Sequence, residues 1–145
     1  MDPHALFQKF VSFTASVHQV THEMTKDVRP EAVTPVQYQI LEYISVSQPV
    51  TPSQISDCQH MSLPNTSREI KKLCEKRLCE KYADPEDRRK QYVRLTAEGE
   101  AMMAKVFQQI EARFRLRLQN AASQDLTDIG HAIDVLQSKV FDPGK

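Results

Sequence analysis

Glycine is scarce in this chain, three in 145 residues and none in a run. That excludes the Gly-rich loops that cradle nucleotide phosphates. HExxH is missing, and so is any Ser or Cys nucleophile motif, so the expectation is a protein that is not an enzyme and needs no cofactor. No apolar run approaches a membrane span and mean hydropathy is -0.51, which predicts a soluble chain with no membrane partner. Met1-Asp2-Pro3-His4 opens with no basic segment and no long apolar stretch, so no secretion signal is expected. Cysteine is limited to Cys58, Cys74 and Cys79, an odd number without metal-type pair spacing. This pattern predicts a reducing, cytoplasmic setting, with the three thiols as small core or semi-buried residues. Net charge is also lacking, 19 cations against 19 anions, which argues against a nonspecific nucleic-acid coat. The length suits about one domain, and 40% hydrophobic residues give it a lean core.

The distribution of charge says more than its sum. Thr51 to Leu95 carries ten Lys/Arg and seven Asp/Glu, while the rest of the chain has nine and twelve. Within the basic part lies Ser62-Leu63-Pro64-Asn65-Thr66-Ser67-Arg68-Glu69-Ile70-Lys71-Lys72-Leu73, read as a short helix with two faces. Ile70, Leu73 and Cys74 recur at helical spacing and turn inward. Asn65, Thr66, Ser67, Arg68, Lys71 and Lys72 are expected to point out. Pro64 fits a first helical turn, where its missing N–H costs nothing. Free N–H groups and a positive dipole at that end suit a phosphate. Small hydroxyls, an amide and an arginine beside them suit a DNA major groove, and a solvated polar face is the plainer alternative.

Around this helix the pattern is regular. From Pro3 to about Val28, Leu6, Phe10, Phe13, Val17, Val20 and Met24 are spaced four, three, four, three, four, a heptad seam widened by Phe7 and Val11. A chain this short has little surface to cover such a helix, so a second copy is the natural partner. Thr34-Pro35-Val36-Gln37 is a capping box with proline at the first helical position, opening a helix with Ile40, Leu41 and Ile44 inward. Thr51-Pro52-Ser53-Gln54 repeats the device for a helix with Ile55 inward. Three short helices with short connectors make a helix-turn-helix. Period two then takes over, predicting strands at Cys79–Ala83 and Gln91–Leu95. Between them, Asp84 to Lys90 is a charged turn with Arg88, Arg89 and Lys90 in succession, a wing able to reach phosphates or a minor groove. Thr96 caps a long helix striped by Met103, Val106, Ile110, Phe114 and Leu118. A last helix carries Leu126, Ile129, Ile133, Leu136 and Val140.

From Thr34 through Gly99 these residues resemble the MarR family of winged helix-turn-helix transcription regulators. DPEDRRKQYVRLTAEG, Asp84 to Gly99, is similar to the family's wing signature, with Asp87 and Arg89 as its pair and Leu95-Thr96 and Gly99 as its end. NTSREIKKL, Asn65 to Leu73, resembles the recognition helix. The resemblance implies a mainly α fold with a small two-stranded wing. Residues 1–30 and 100–145 would form a helical dimerisation region around a winged helix-turn-helix at 31–99. It implies a homodimer on a pseudo-palindromic operator, usually as a repressor, released by a small-molecule effector where the dimer helices meet the winged helix. Pro64, Asn65, Thr66, Ser67, Arg68, Lys71, Lys72, Arg88, Arg89 and Lys90 would face double-stranded DNA, and Asp87 would hold Arg89. One residue departs from the pattern: Arg77 stands after the recognition helix, where relatives commonly place glycine in a left-handed turn.

Two other readings stand beside this one. His18 and His22 are i, i+4 on one helix with Glu23 adjacent, which could seed the metal site of a metal-sensing regulator. Net neutrality would also permit a dimeric interaction module without DNA binding, against which Arg88, Arg89 and Lys90 argue.

Overall fold

The computed structural model describes residues 1–144. The chain is mainly helical: α1 (Pro3–Thr25), α2 (Pro35–Ser47), α3 (Pro52–Gln59), α4 (Leu63–Glu75), α5 (Ala97–Arg117) and α6 (Ser123–Leu136), closing on a π-helical turn, Gln137–Phe141. An antiparallel hairpin, β1 (Cys79–Ala83) and β2 (Gln91–Leu95), lies between α4 and α5, with Cys79 opposite Leu95 and Ala83 opposite Gln91. Two compact units are distinguished, Met1–Glu111 and the residues from Ala112 on.

The helix starts follow from side-chain chemistry. At α2, the Gln37 N–H donates to Thr34 Oγ1 (3.2 Å) and the Thr34 N–H to Gln37 Oε1 (3.1 Å). At α3, Gln54 and Thr51 make the same reciprocal pair at 3.1 and 2.9 Å. Each box satisfies two N–H groups that a helix end otherwise leaves orphaned. The stops are equally local. Leu78 N–H reaches Leu73 O and Arg77 N–H reaches Cys74 O, both at 3.0 Å, the paired closure of a Schellman turn. Arg77 therefore takes φ +63°, the left-handed position that favours glycine, so the turn keeps its shape despite the arginine. His60 closes α3 in the same way, at φ +54°. The α1 helix ends at Thr25, before the expected Val28, with Lys26 extended and Asp27 at φ +61° turning the chain.

The core sits under the three short helices and the hairpin. Ile40, Leu41 and Ile44 of α2 meet Ile55 of α3, Ile70 and Leu73 of α4, Val93 of β2 and Met103 of α5, all buried. A hairpin alone is marginal in water. This one is fastened by a bridge from Val93 to Val50, with N–H···O distances of 2.7 and 3.2 Å, and by the Leu95 N–H on Gln48 Oε1 (3.0 Å). Thr96 caps α5 by accepting from the Gly99 N–H (3.0 Å), and its hydroxyl donates to Arg77 O (2.6 Å).

The outer helices behave differently. No residue of α1 is buried and none of α6. Of the α1 seam, Leu6, Phe13 and Val17 are exposed with Phe7 and Val11, while Phe10, Val20 and Met24 are half-buried. On α6, Leu126, Ile129 and Ile133 are exposed.

Candidate nucleic-acid interface

The α4 helix presents its polar side as a surface because Ile70 and Leu73 turn the opposite side into the core, while Leu63 in its first turn stays exposed. Pro64, Asn65, Ser67, Arg68, Lys71 and Lys72 are exposed. Arg68 donates to the Asn65 side-chain oxygen, linking the two side chains one helical turn apart. Lys72 pairs with Glu69 at 3.4 Å, which offsets part of its charge. Lys71 stands beside them, exposed.

Thr66 corrects the expectation. It is 0 % exposed, and its hydroxyl donates to Ser62 O at 2.9 Å. The reason is register: Thr66, Ile70 and Leu73 are spaced four and three, so Thr66 belongs to the inward stripe. It fixes the start of the helix from beneath and offers nothing to a base. Thr66→Val keeps the shape and removes that hydrogen bond. It is expected to lower unfolding free energy by about 1 kcal/mol in denaturant titration. An unchanged midpoint would show that this hydroxyl does not hold the helix start.

The helix N-terminus also differs from expectation. Pro64 has no N–H, the Asn65 N–H is taken by Ser62 Oγ (3.2 Å), and the Thr66 N–H by Ser62 O (3.0 Å). Little more than the Leu63 amide is left for a phosphate, so the anion-binding capacity lies in side chains rather than in the helix end.

The wing supplies those side chains. Its tip is built by aspartates. The Glu86 N–H donates to Asp84 Oδ1 (2.8 Å), and Asp87 Oδ1 accepts from the Arg89 backbone N–H (3.1 Å) and from Arg89 Nε (3.4 Å). Asp87 thus holds both the backbone and the guanidinium of Arg89 while that side chain stays open to solvent. The Lys90 ammonium lies 5.4 Å from the centre of the Tyr92 ring, within cation–π reach. Arg88 is exposed. Lower on the hairpin, Arg94 is paired with Glu80 at 2.7 Å and stacked 4.2 Å over Tyr82, so its charge serves the sheet.

One groove brings the two surfaces together. It holds about 400 Å³ and is lined by Leu63 and Ser67 of α4, Arg89, Lys90 and Gln91 of the wing, and Thr51, Pro52 and Ser53 at the start of α3. The α3 residues were not among the expected contacts. The Thr51 capping box marks a helix start, but only the fold shows that this start borders α4.

The remaining candidates are placed as follows. His18 and His22 are exposed on α1, and among the described residues no three His, Cys, Asp or Glu side chains are grouped to hold a metal. Cys79 is buried and Cys74 half-buried, as expected. Burial pushes the Cys79 thiol up to about 12 and raises that of Cys74. Cys58, by contrast, is exposed. It follows Ile55 by three residues, but in the last turn of α3 it faces an open groove shared with Tyr43 and Val46.

A buried three-helix core, a polar second helix and a cationic hairpin beside it define the winged helix-turn-helix class. Residues 33–90 match the sequence profile of the MarR family. Solved structures agree over nearly the whole chain. The transcriptional regulator Tm0710 from Thermotoga maritima superposes with a TM-score of 0.68 at 23% identity, covering 90% of this chain and 92% of that one. Staphylococcus aureus MarR in complex with salicylate and kanamycin gives 0.67 at 18%, covering 94% and 93%. S. aureus MepR bound to ethidium bromide gives 0.63 at 16%, covering 97% of each. No curated protein matches the chain. The chain has the fold of these transcription regulators, and the match to the MarR-family profile covers α2, α3, α4, β1 and the turn before β2.

Proposed function

We propose that this protein is a sequence-specific transcription regulator that binds a pseudo-palindromic double-stranded DNA operator as a homodimer and represses from it. The observation that carries the reading is the shared groove, in which Ser67 of the recognition helix meets Arg89 and Lys90 of the wing. In this reading Asn65, Ser67 and Arg68 approach base edges, with Pro64 seating the helix start. Lys71 and Lys72 contact the backbone. Arg88, Arg89 and Lys90 meet phosphates or the minor groove, and Asp87 aims Arg89. The exposed apolar stripes of α1 and α6 supply the dimer surface. Two symmetric recognition helices would then sit about 34–36 Å apart, one turn of duplex.

Selection of bound duplexes from a random pool tests this directly, and recovery of a palindrome is the expected result. On that duplex, Arg89→Ala should weaken binding several-fold and reduce the slope of log K against log salt by about 1. An unchanged titration across salt would remove the wing from the interface.

A small-molecule effector fits the same reading. A pocket of about 420 Å³ lies between the residues after α1 and α5, lined by Arg29, Pro30, Met102, Lys105, Val106 and Gln109. That S. aureus MarR was solved in complex with salicylate and kanamycin, and S. aureus MepR bound to ethidium bromide, supports a small-molecule effector. Binding there would act by favouring one spacing of the recognition helices over another.

A further inference from the structure

Gln37 is the buried polar side chain for which helix capping alone does not account. It is 2 % exposed, and both ends of its amide are used. The oxygen accepts from the Thr34 N–H (3.1 Å) and from Lys76 Nζ (2.7 Å). The nitrogen donates to Glu69 Oε2 (3.2 Å). Glu69 lies in the middle of α4, and Lys76 caps its end. Lys76 Nζ also donates to Ala32 O (2.7 Å), in the segment between α1 and α2. One amide therefore grips the recognition helix at two points seven residues apart, two helical turns, and binds both to the segment that leads into α2.

We infer that Gln37 is a positioning residue for the recognition helix: it fixes how α4 sits against α2 and the preceding segment. Apolar packing of Ile70 and Leu73 holds α4 down but allows it to roll and slide, because dispersion contacts are non-directional. Hydrogen bonds at Glu69 and Lys76 are directional, and buried ones are costly to leave unmade. They set the rotation of the helix and hence the aim of Asn65, Ser67 and Arg68. This consequence for DNA rests on the DNA-binding reading; the mechanical claim about α4 does not.

The test uses an exchange of roles. Gln37→Glu retains the acceptor for the Thr34 N–H and for Lys76, since glutamate serves a capping box as well as glutamine. It removes only the donor to Glu69 and sets two carboxylates face to face. Amide hydrogen exchange across Glu69–Lys76 should quicken about tenfold in the full-length protein, and affinity for the selected duplex should fall by a similar factor. In Gln37→Glu/Glu69→Gln the donor stands on the other side, and both readouts should return to within about twofold of wild type. Unchanged exchange in the single variant overturns the inference, as does failure of the double variant to recover. If wild type selects no duplex, the DNA reading fails while exchange still judges the role of Gln37. Should Gln37→Glu not fold, Lys76→Met removes the second grip from an exposed residue, and unchanged exchange there has the same force.

Discussion

Gly99→Ala is expected to destabilise the protein by about 3 kcal/mol, lowering the melting temperature by roughly 10 °C. A Cβ at this position would sit 2.1 Å from Leu78 O and 3.0 Å from Leu78 C. These are backbone atoms, which cannot turn aside as a side chain can. Leu78 is also fixed on both sides: its N–H closes the turn after α4, and its carbonyl accepts the Thr96 N–H at 3.1 Å. Making room would slide the start of α5 away from β1 and stretch that bond together with the Thr96–Arg77 bond. Two effects oppose each other. Alanine is the better helix former by about 1 kcal/mol, less in a first turn, whereas a forced backbone shift in a packed site costs about 1–3 kcal/mol or more, to which about 1 kcal/mol is added for each weakened hydrogen bond. The clash decides the sign. A thermal melt with an unchanged midpoint would show that α5 is not seated on Leu78. The glycine of the wing signature is therefore a matter of close approach, not of turn geometry.

Elements whose cause is local were legible in the sequence. The two T-P-x-Q boxes gave the starts of α2 and α3, because capping is decided within four residues. Both strands occupy the expected residues, since alternation bounded by a charged turn has few other solutions. What depends on a distant neighbour was hidden. Gln37 reads as a capping residue until α4 is placed beside it. Thr51 and Ser53 read as a helix start until the wing is folded against them. Cys58 has inward spacing, but spacing cannot show that the groove beside it against α2 stays open. Thr66 is a different case: its register with Ile70 and Leu73 is present in the sequence, but its small hydroxyl suits a polar face equally well. The lesson is physical, since a threonine's methyl and hydroxyl are both content in a core when a carbonyl lies one turn away.

Phe13→Glu together with Val17→Glu is expected to give a folded monomer that has lost tight operator binding. Both side chains are exposed on α1, at 43% and 46%, in register with Leu6 on the heptad seam. In a two-fold dimer each substitution counts twice, so four apolar side chains are lost. Taking about 1 kcal/mol for covering the exposed half of each, the loss is about 4 kcal/mol, near a thousandfold in the dimer dissociation constant, before the cost of bringing carboxylates together. The fold should persist, because α1 contributes no buried residue to the core of its own chain. Far-UV circular dichroism and the amide protection of α2, α3 and α4 should therefore match wild type, while sedimentation reports half the mass. DNA affinity should fall by about two to four orders of magnitude, since a monomer binds each half-site without the effective concentration that a joined partner supplies. A variant that sediments as a dimer with unaltered affinity would shift the clamp away from the α1 seam. A monomer that still bound the operator tightly would count against the paired arrangement itself, because one recognition helix and one wing would then suffice for what two symmetric copies are proposed to share.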